Sequence, residues 1–357
     1  MTTTEESVSL WQPDILGAGY ERLELPLSPD EEGPVKATLI RHAPPVTAST
    51  PHGILDFFST FTQRRRRAAS VDPTGAPRVV LYLHGWADYF LQTELAEYLT
   101  ASGFHFYALD LRKFGRSLLP GQTPGYTTDL AVYDEDIEAA LLEIERDVVA
   151  RTNSPASPTI HMLAHSLGGL IASLWADRHP GRIGTLVLNS PWLELQGSSL
   201  VRSIAMHLVE PFARTDPKRP FRFPEMPAYW ESVSNQAHGE WPLDPIWRPR
   251  ASFPIRAGWT KAVLAGHKTV ERKLNIDAPV LVLLSGRTRI QAEWTSDLMR
   301  ADAVIDVEET SRRALGLGRR TAVFRYPGAL HDIFLSRRTI RQQAYHDVSV
   351  WLSSYPY

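Results

Sequence analysis

The chain has no cysteine. Disulfides, thiol nucleophiles and thiolate metal sites are therefore excluded together. Charge is nearly balanced, with 38 Lys and Arg against 40 Asp and Glu and a formal net charge of -2. Nucleic-acid binding calls for a basic face or stripe, and this balance offers no case for one. No apolar run approaches the roughly 18–20 residues of a membrane span. There is no Gly-rich phosphate loop, no internal repeat and no low-complexity tract. The opening Met1-Thr2-Thr3-Thr4-Glu5-Glu6 has neither the basic nor the apolar region of a signal peptide. Together these absences lead to the expectation of a soluble, cytoplasmic protein with no transmembrane segment and no nucleic-acid partner.

What is present is ordinary globular sequence, and 357 residues suit one large core with an inserted subdomain as well as two domains. Strand-like and helix-like segments alternate, which predicts an α/β fold with a mostly parallel, doubly wound sheet and helices on both faces. Glu21–Leu27 and Val35–His42 alternate as a leading antiparallel pair. Ile54 to Phe61 has apolar residues at helical spacing and runs on to Arg64–Arg67. A basic amphipathic helix of that kind permits peripheral membrane contact, although a solvated charge run is the favoured reading.

The spacing then predicts strands at Arg78–Leu83, His105–Leu111, Thr159–His165, Gly184–Asn189, Pro279–Ser285 and Thr321–Tyr326. Helices are predicted at Gln92–Ser102, from Leu130 to Val149, after Ser166 to His179, near Val307–Leu315 and from Arg338 to Leu352. Between Ser190 and Arg272 the rhythm breaks into a proline-rich stretch with Trp192, Trp230, Trp241, Trp247 and Trp259. Those tryptophans need apolar company, so the stretch is expected to fold down as a cap. The resulting division is 1–74, an N-terminal segment; 75–191, the first half of the core; 192–272, the cap insertion; and 273–357, the second half of the core.

The run Thr159-Ile160-His161-Met162-Leu163-Ala164-His165-Ser166-Leu167-Gly168-Gly169 reads as a nucleophile elbow, a strand-to-helix turn that pushes Ser166 out above a sheet. Small residues are needed on both sides of the serine, and Ala164 and Gly168 fill those places. The blander reading is a buried strand followed by a helix that happens to start with serine. His84-Gly85-Trp86, after the first central strand, makes a turn whose N–H groups can face a reacting carbonyl; with the residue after the nucleophile this assigns the oxyanion hole to the N–H groups of Trp86 and Leu167. On the blander reading His84 and Gly85 only turn the chain. Asp110 and Arg112, next to a strand end, read as a structural hydrogen-bond network rather than as catalytic groups. His331, in Gly328-Ala329-Leu330-His331-Asp332, stands where a general base belongs in the order Ser, acid, His.

The acid is less direct. It belongs just beyond Pro279–Ser285, but Gly286-Arg287-Thr288-Arg289-Ile290 contains none. Glu293, Asp297, Asp302 and Asp306 follow, while Asp277 precedes its strand and belongs to the wrong end of the sheet. Asp302 is the expected acid.

These segments resemble the α/β-hydrolase superfamily and, within it, the monoglyceride lipase and lysophospholipase branch, also labelled serine-aminopeptidase-like. The resemblance lies in His84-Gly85…Tyr89, in Asp110…Gly115-Arg116-Ser117, in the His-Ser-x-Gly-Gly elbow, in Ser190-Pro191 and in the late Gly…His. It covers about residues 75–192 and 275–355. It implies an acid within Ala301-Asp302-Ala303-Val304-Ile305-Asp306, once Arg287–Arg300 is treated as an insertion that departs from the family pattern.

The function expected is hydrolysis of carboxylic esters with apolar acyl chains, monoacylglycerol-like or lysophospholipid-like, through an acyl-enzyme on Ser166 with His331 as base and Asp302 orienting it. Trp192, Trp230 and Trp241 are the expected substrate-binding residues. No metal and no cofactor are called for, and the partner is a small-molecule ester. The alternatives are an acyltransferase on the same site, a non-catalytic apolar-ligand or partner-binding protein, and, more weakly, an aminopeptidase holding a free amine on Glu225, Glu231, Glu240 or Asp244.

Overall fold

The computed structural model describes residues 11–44, 75–195, 209–221 and 227–355. The expected helix at Ile54–Phe61, its basic tail Arg64–Arg67, and Phe223 and Glu225 of the insertion lie outside the described residues.

Among the described residues, nine strands form a single sheet. They are β1 (Gln12–Pro13), β2 (Tyr20–Asp30), β3 (Gly33–His42), β4 (Arg78–Leu83), β5 (His105–Asp110), β6 (Thr159–His165), β7 (Thr185–Asn189), β8 (Val280–Ser285) and β9 (Thr321–Tyr326). Their spatial order is β1-β2-β3-β5-β4-β6-β7-β8-β9. The first three strands and the β3–β5 pair are antiparallel, and every pair from β5 to β9 is parallel. Central strands such as β4 and β7 are buried along their whole length, because parallel strands covered on both faces carry no polar side.

The pleat sorts their side chains into two cores. Val79, Leu81 and Leu83 face one layer, packed by helices α2 (Tyr133–Thr152), α3 (Ser166–Arg178) and α5 (Ala257–Glu271). Val80 and Tyr82 face the other, packed by α1 (Thr93–Ala101) and α7 (Arg338–Ser354). Two shorter helices are α4 (Ala228–Val233) and α6 (Val307–Ala314). The 192–272 stretch is not uniform. Its last helix, α5, lies on α3 and sends Trp259, Ala262, Val263 and Val270 into the main core, whereas Val233, Trp241 and Leu243 gather with Tyr89, Leu91, Leu330 and Leu335 in a separate cluster.

The order of the strands fixes where chemistry is possible. The chain leaves β4 toward β5 on one side and returns to β6 on the other, so the connections after β4 and β6 diverge. In open α/β sheets a ligand crevice lies at such a switch point, outside the carboxyl ends of the strands. Leu83-His84 and His165-Ser166 are the ends in question.

The antiparallel edge is tied to this centre by buried charge. Arg116, in a 3-10 turn after β5, donates to Asp14 through Nε and Nη2 at 2.7 and 2.9 Å and to Asp110 Oδ2 through Nη1 at 2.8 Å. Asp110 also accepts the backbone N–H groups of Phe90 and Arg116. Asp110 is thus structural, as expected, but its partners are Arg116 and, through it, Asp14; Arg112 bonds instead to Asp136 and Glu135. Removing the Arg116 cation leaves two buried carboxylates unpaired, which costs about 3–5 kcal/mol. Arg116→Leu should therefore lower the denaturant midpoint by that equivalent, and a midpoint unchanged from wild type would contradict the role given to Arg116.

Candidate active site

Ser166 opens α3 directly out of β6, with φ = +51°, in the left-handed region that a residue bearing a Cβ rarely adopts. Such strain costs of order 1–3 kcal/mol and persists only where the surroundings over-determine it. Two close approaches do so. A Cβ on Gly168 would overlap the carbonyl oxygen of His84, so the first turn of α3 is pressed onto the end of β4. A Cβ on Gly85 would stand 3.1 Å from that of Ser166, so the turn carrying Trp86 runs beside the nucleophile.

That turn is pinned by His84. The Leu111 N–H donates to His84 Nε2 at 3.1 Å, so the ring proton is on Nδ1, which donates to the Gly85 carbonyl at 2.7 Å. His84 is therefore spent on holding the turn. Leu167 is the second residue of α3, where backbone N–H groups have no partner inside the helix. Trp86 and Leu167 thus flank Ser166 from two sides.

His331 reaches Ser166 from the loop after β9. Its Nε2 lies 3.0 Å from Ser166 Oγ, and its Nδ1 lies 2.8 Å from Asp302 Oδ2. All three side chains are buried, Asp302 completely and Ser166 with 8% exposure left toward the crevice. Since Asp302 accepts at Nδ1, that nitrogen carries the proton and Nε2 is the free acceptor for the serine hydroxyl. The second Asp302 oxygen accepts the N–H groups of Val304 and Ile305 at 2.8 and 2.9 Å, which fixes the carboxylate in place.

The insertion before Asp302 has a simple geometry. A bridge joins Thr288 to Asp302, with Arg289 N–H to Asp302 O at 2.7 Å and Asp302 N–H to Arg287 O at 2.9 Å. Residues 289–301 are consequently a closed excursion, and Asp302 resumes at the end of β8 where the excursion began. The other acids lie elsewhere. Asp297 is 61% exposed beside Arg287, and Asp306 caps α6 through the N–H groups of Glu308 and Glu309.

Behind His331 lies a polar layer that sequence reasoning missed. Asp332 accepts from Asn189 Nδ2 at 2.7 Å, Gln92 Nε2 at 2.8 Å and Phe334 N–H at 2.9 Å, all buried. His165 packs its ring 4.9 Å from that of His331 and bonds through Nδ1 to the Asn189 carbonyl. Burial, which disfavours the charged form, holds its pKa below the ordinary range against the opposing pull of Asp332. Only the adjacency of Asp332 to His331 was available as a signal.

The tryptophans divide into two groups. Trp192 donates its backbone N–H to the Ser166 carbonyl at 3.0 Å; its ring stacks on Trp259 at 5.9 Å, and Trp259 lies 4.0 Å from Trp86. Trp86, Trp192 and Trp259 thus form one aromatic run beside the nucleophile. Trp230 and Trp241 are in the separate cluster, their indole N–H groups given to the carbonyls of Arg248 and Leu335, each at 3.0 Å.

Residues 75–337 match the family described as Serine aminopeptidase, S33 (Hydrolase_4). Among curated proteins, the chain is 26% identical over 293 residues to a monoacylglycerol lipase of Mycolicibacterium smegmatis, covering 80% of this chain and 90% of that one. Among solved structures it is similar to a soluble variant of monoglyceride lipase from Saccharomyces cerevisiae in complex with a substrate analogue, with TM-score 0.62 and 16% identity over 92% of this chain and 94% of that one. It is also similar to the monoacylglycerol lipase of Paleococcus ferrophilus, with TM-score 0.53 and 21% identity over 80% and 96% of the two chains. The sheet and its flanking helices are the α/β-hydrolase fold.

An Asp-to-Asn change opposite such a histidine keeps the shape but favours the wrong tautomer, at a cost near 10⁴ in kcat. Asp302→Asn should lose about that factor in ester turnover while Asp297→Asn stays within about twofold of wild type. The reverse ranking would reassign the acid.

Proposed function

This chain belongs to the Serine aminopeptidase, S33 family and is an ester hydrolase of the α/β-hydrolase class; from that footing we propose that it cleaves esters of apolar acyl chains, monoacylglycerol-like or lysophospholipid-like, through an acyl-enzyme on Ser166. The observation that carries the reading is the unbroken hydrogen-bond line from Ser166 Oγ through His331 to Asp302.

The chemistry follows from that line. A serine hydroxyl is a poor nucleophile until an adjacent base takes its proton. His331 Nε2 accepts it as Oγ attacks the ester carbonyl, and Asp302 stabilises the resulting imidazolium without taking its proton. The negative oxygen of the tetrahedral intermediate is held by the N–H groups of Trp86 and Leu167. His331 then protonates the departing alcohol, which leaves the acyl group on Ser166. Water, deprotonated by the same histidine, releases the carboxylic acid and restores the serine.

Two observations favour acyl esters over peptides. The aromatic run of Trp86, Trp259 and Trp192 offers an apolar surface beside Ser166, of the kind that accepts alkyl chains. Of the carboxylates weighed for a free amine, Glu231 is paired with Arg250 and Glu240 with Arg341, while Asp244 caps the N–H groups of Ile246 and Trp247. Trp192 keeps its proposed place at the substrate, joined by Trp86 and Trp259. Trp230 and Trp241 serve to fasten the cap.

Ser166→Ala should abolish labelling by a fluorophosphonate probe and cost on the order of 10⁶ in kcat, as loss of such a nucleophile does elsewhere. Near-native turnover in that variant would refute the acyl-enzyme. A series of p-nitrophenyl esters should show kcat/KM rising by about one to two orders of magnitude from acetate to medium chains, each buried methylene contributing roughly 0.8 kcal/mol until the pocket is filled. A flat series, or faster cleavage of aminoacyl anilides, would favour the peptidase instead. Transfer outrunning hydrolysis when an alcohol is added would favour the acyltransferase.

A further inference from the structure

Two of the loops that meet at Ser166 are joined by one arm of the chain, residues 228–248 between β7 and β8. At one end, Arg248 Nη1 donates to Asp88 Oδ1 at 2.7 Å, with both side chains buried. Asp88 lies two residues beyond Trp86, on the turn that flanks the nucleophile. The same arm grips the next residue as well. The Asp244 N–H donates to the Tyr89 hydroxyl at 3.0 Å, and the Trp247 ring meets that of Tyr89 edge-on at 5.2 Å.

At its other end the arm reaches the histidine loop. The Tyr229 hydroxyl accepts the Asp332 N–H at 3.1 Å, and the Tyr229 ring stands perpendicular to that of His331 at 5.4 Å. The two ends are in contact with each other, since the Arg248 guanidinium lies 5.6 Å from the centre of the Tyr229 ring. Trp230 Nε1 bonded to the Arg248 carbonyl fixes the arm internally, and Trp241 Nε1 bonded to the Leu335 carbonyl fixes it to the loop beyond His331.

A buried ion pair is a weak source of stability, because apolar residues of similar volume in its place are often neutral or better. A directional pair does, however, fix two backbones in one register. The Tyr229 hydroxyl is alike in this respect. Phenylalanine would fill the same space, and what the oxygen adds is a bond to the backbone of the residue next to His331. We propose that Arg248 and Tyr229 are positioning residues, and that the arm is a clasp holding the oxyanion turn and His331 at a common distance from Ser166. The inference rests on the acyl-enzyme reading of Ser166. It places the effect of the clasp on the reacting geometry and leaves binding of the acyl chain to the aromatic run. Displacements of about 1 Å at a reacting centre are worth up to roughly 10²-fold in rate.

The test uses the full chain, a p-nitrophenyl ester of medium length, the rate of fluorophosphonate labelling, and thermal unfolding. Tyr229→Phe should lower kcat and the labelling rate about tenfold, with KM within about twofold and the melting temperature little changed. Arg248→Lys keeps a cation opposite Asp88 and should turn over about tenfold faster than Arg248→Met. Should Arg248→Met fail to fold, the doubly neutral Asp88→Asn, Arg248→Met variant replaces it, with the same slow labelling expected. The clasp is overturned if Tyr229→Phe and the folded Arg248 variants keep kcat and labelling within about twofold of wild type, or if their loss is confined to KM. Ser166→Ala in parallel separates the two ideas. Activity surviving there removes the acyl-enzyme itself, whereas an inert Ser166→Ala beside unimpaired Tyr229 and Arg248 variants removes only the clasp.

Discussion

The closeness of the backbone at Gly168 to the carbonyl of His84 is the constraint on which the site depends. It presses the start of α3 against the end of β4, and three consequences follow. Ser166 is held at a positive φ with its hydroxyl toward the crevice. Leu167 presents an unpaired helix N–H, and the His84-Gly85-Trp86 turn is brought alongside it. One steric contact therefore sets Ser166, Leu167 and the Trp86 turn together, before either His331 or Asp302 is considered. A methyl group at Gly168 would force these loops apart.

The remaining groups arrive from far along the chain, and buried polar contacts fix them there. Arg116 joins the N-terminal edge to the centre of the sheet through Asp14 and Asp110. Asp332 ties the histidine loop to β7 and to the residue preceding α1 through Asn189 and Gln92. Arg248 joins the 228–248 segment to the turn after β4 through Asp88. Each is satisfied on several sides, as a low-dielectric interior requires. His165, whose pKa burial holds below the ordinary range, packs against His331 in the same arrangement.

Much of the central sheet was legible because its strands are covered on both faces and read as continuous apolar runs. Arg78–Leu83, Thr159–His165 and Thr321–Tyr326 have the bounds that their sequence suggests, and the other parallel strands differ by a residue. The long helix expected from Leu130 begins at Tyr133, because Asp129 caps a short 3-10 turn through the Ala131 N–H. Helix α5 was not read at all. Its apolar residues Trp259, Ala262, Val263, Gly266 and Val270 do recur at helical spacing, but proline-rich sequence before them hid the pattern. Asp302 could be named from a local motif, whereas the bridge at Thr288 that closes the excursion before it has no signature in one sequence. The pairing of Asp88 with Arg248 spans 160 residues, and no local periodicity foretells it.

The central claim is that the acyl group passes through Ser166. Acid-quenching the protein during turnover of a medium-chain p-nitrophenyl ester, followed by peptide mass analysis, tests it directly. The account predicts a mass increase of one acyl group on the peptide containing Ser166, absent once substrate is exhausted. Turnover at full rate with no acylated peptide, or with the acyl group on another residue, would contradict it.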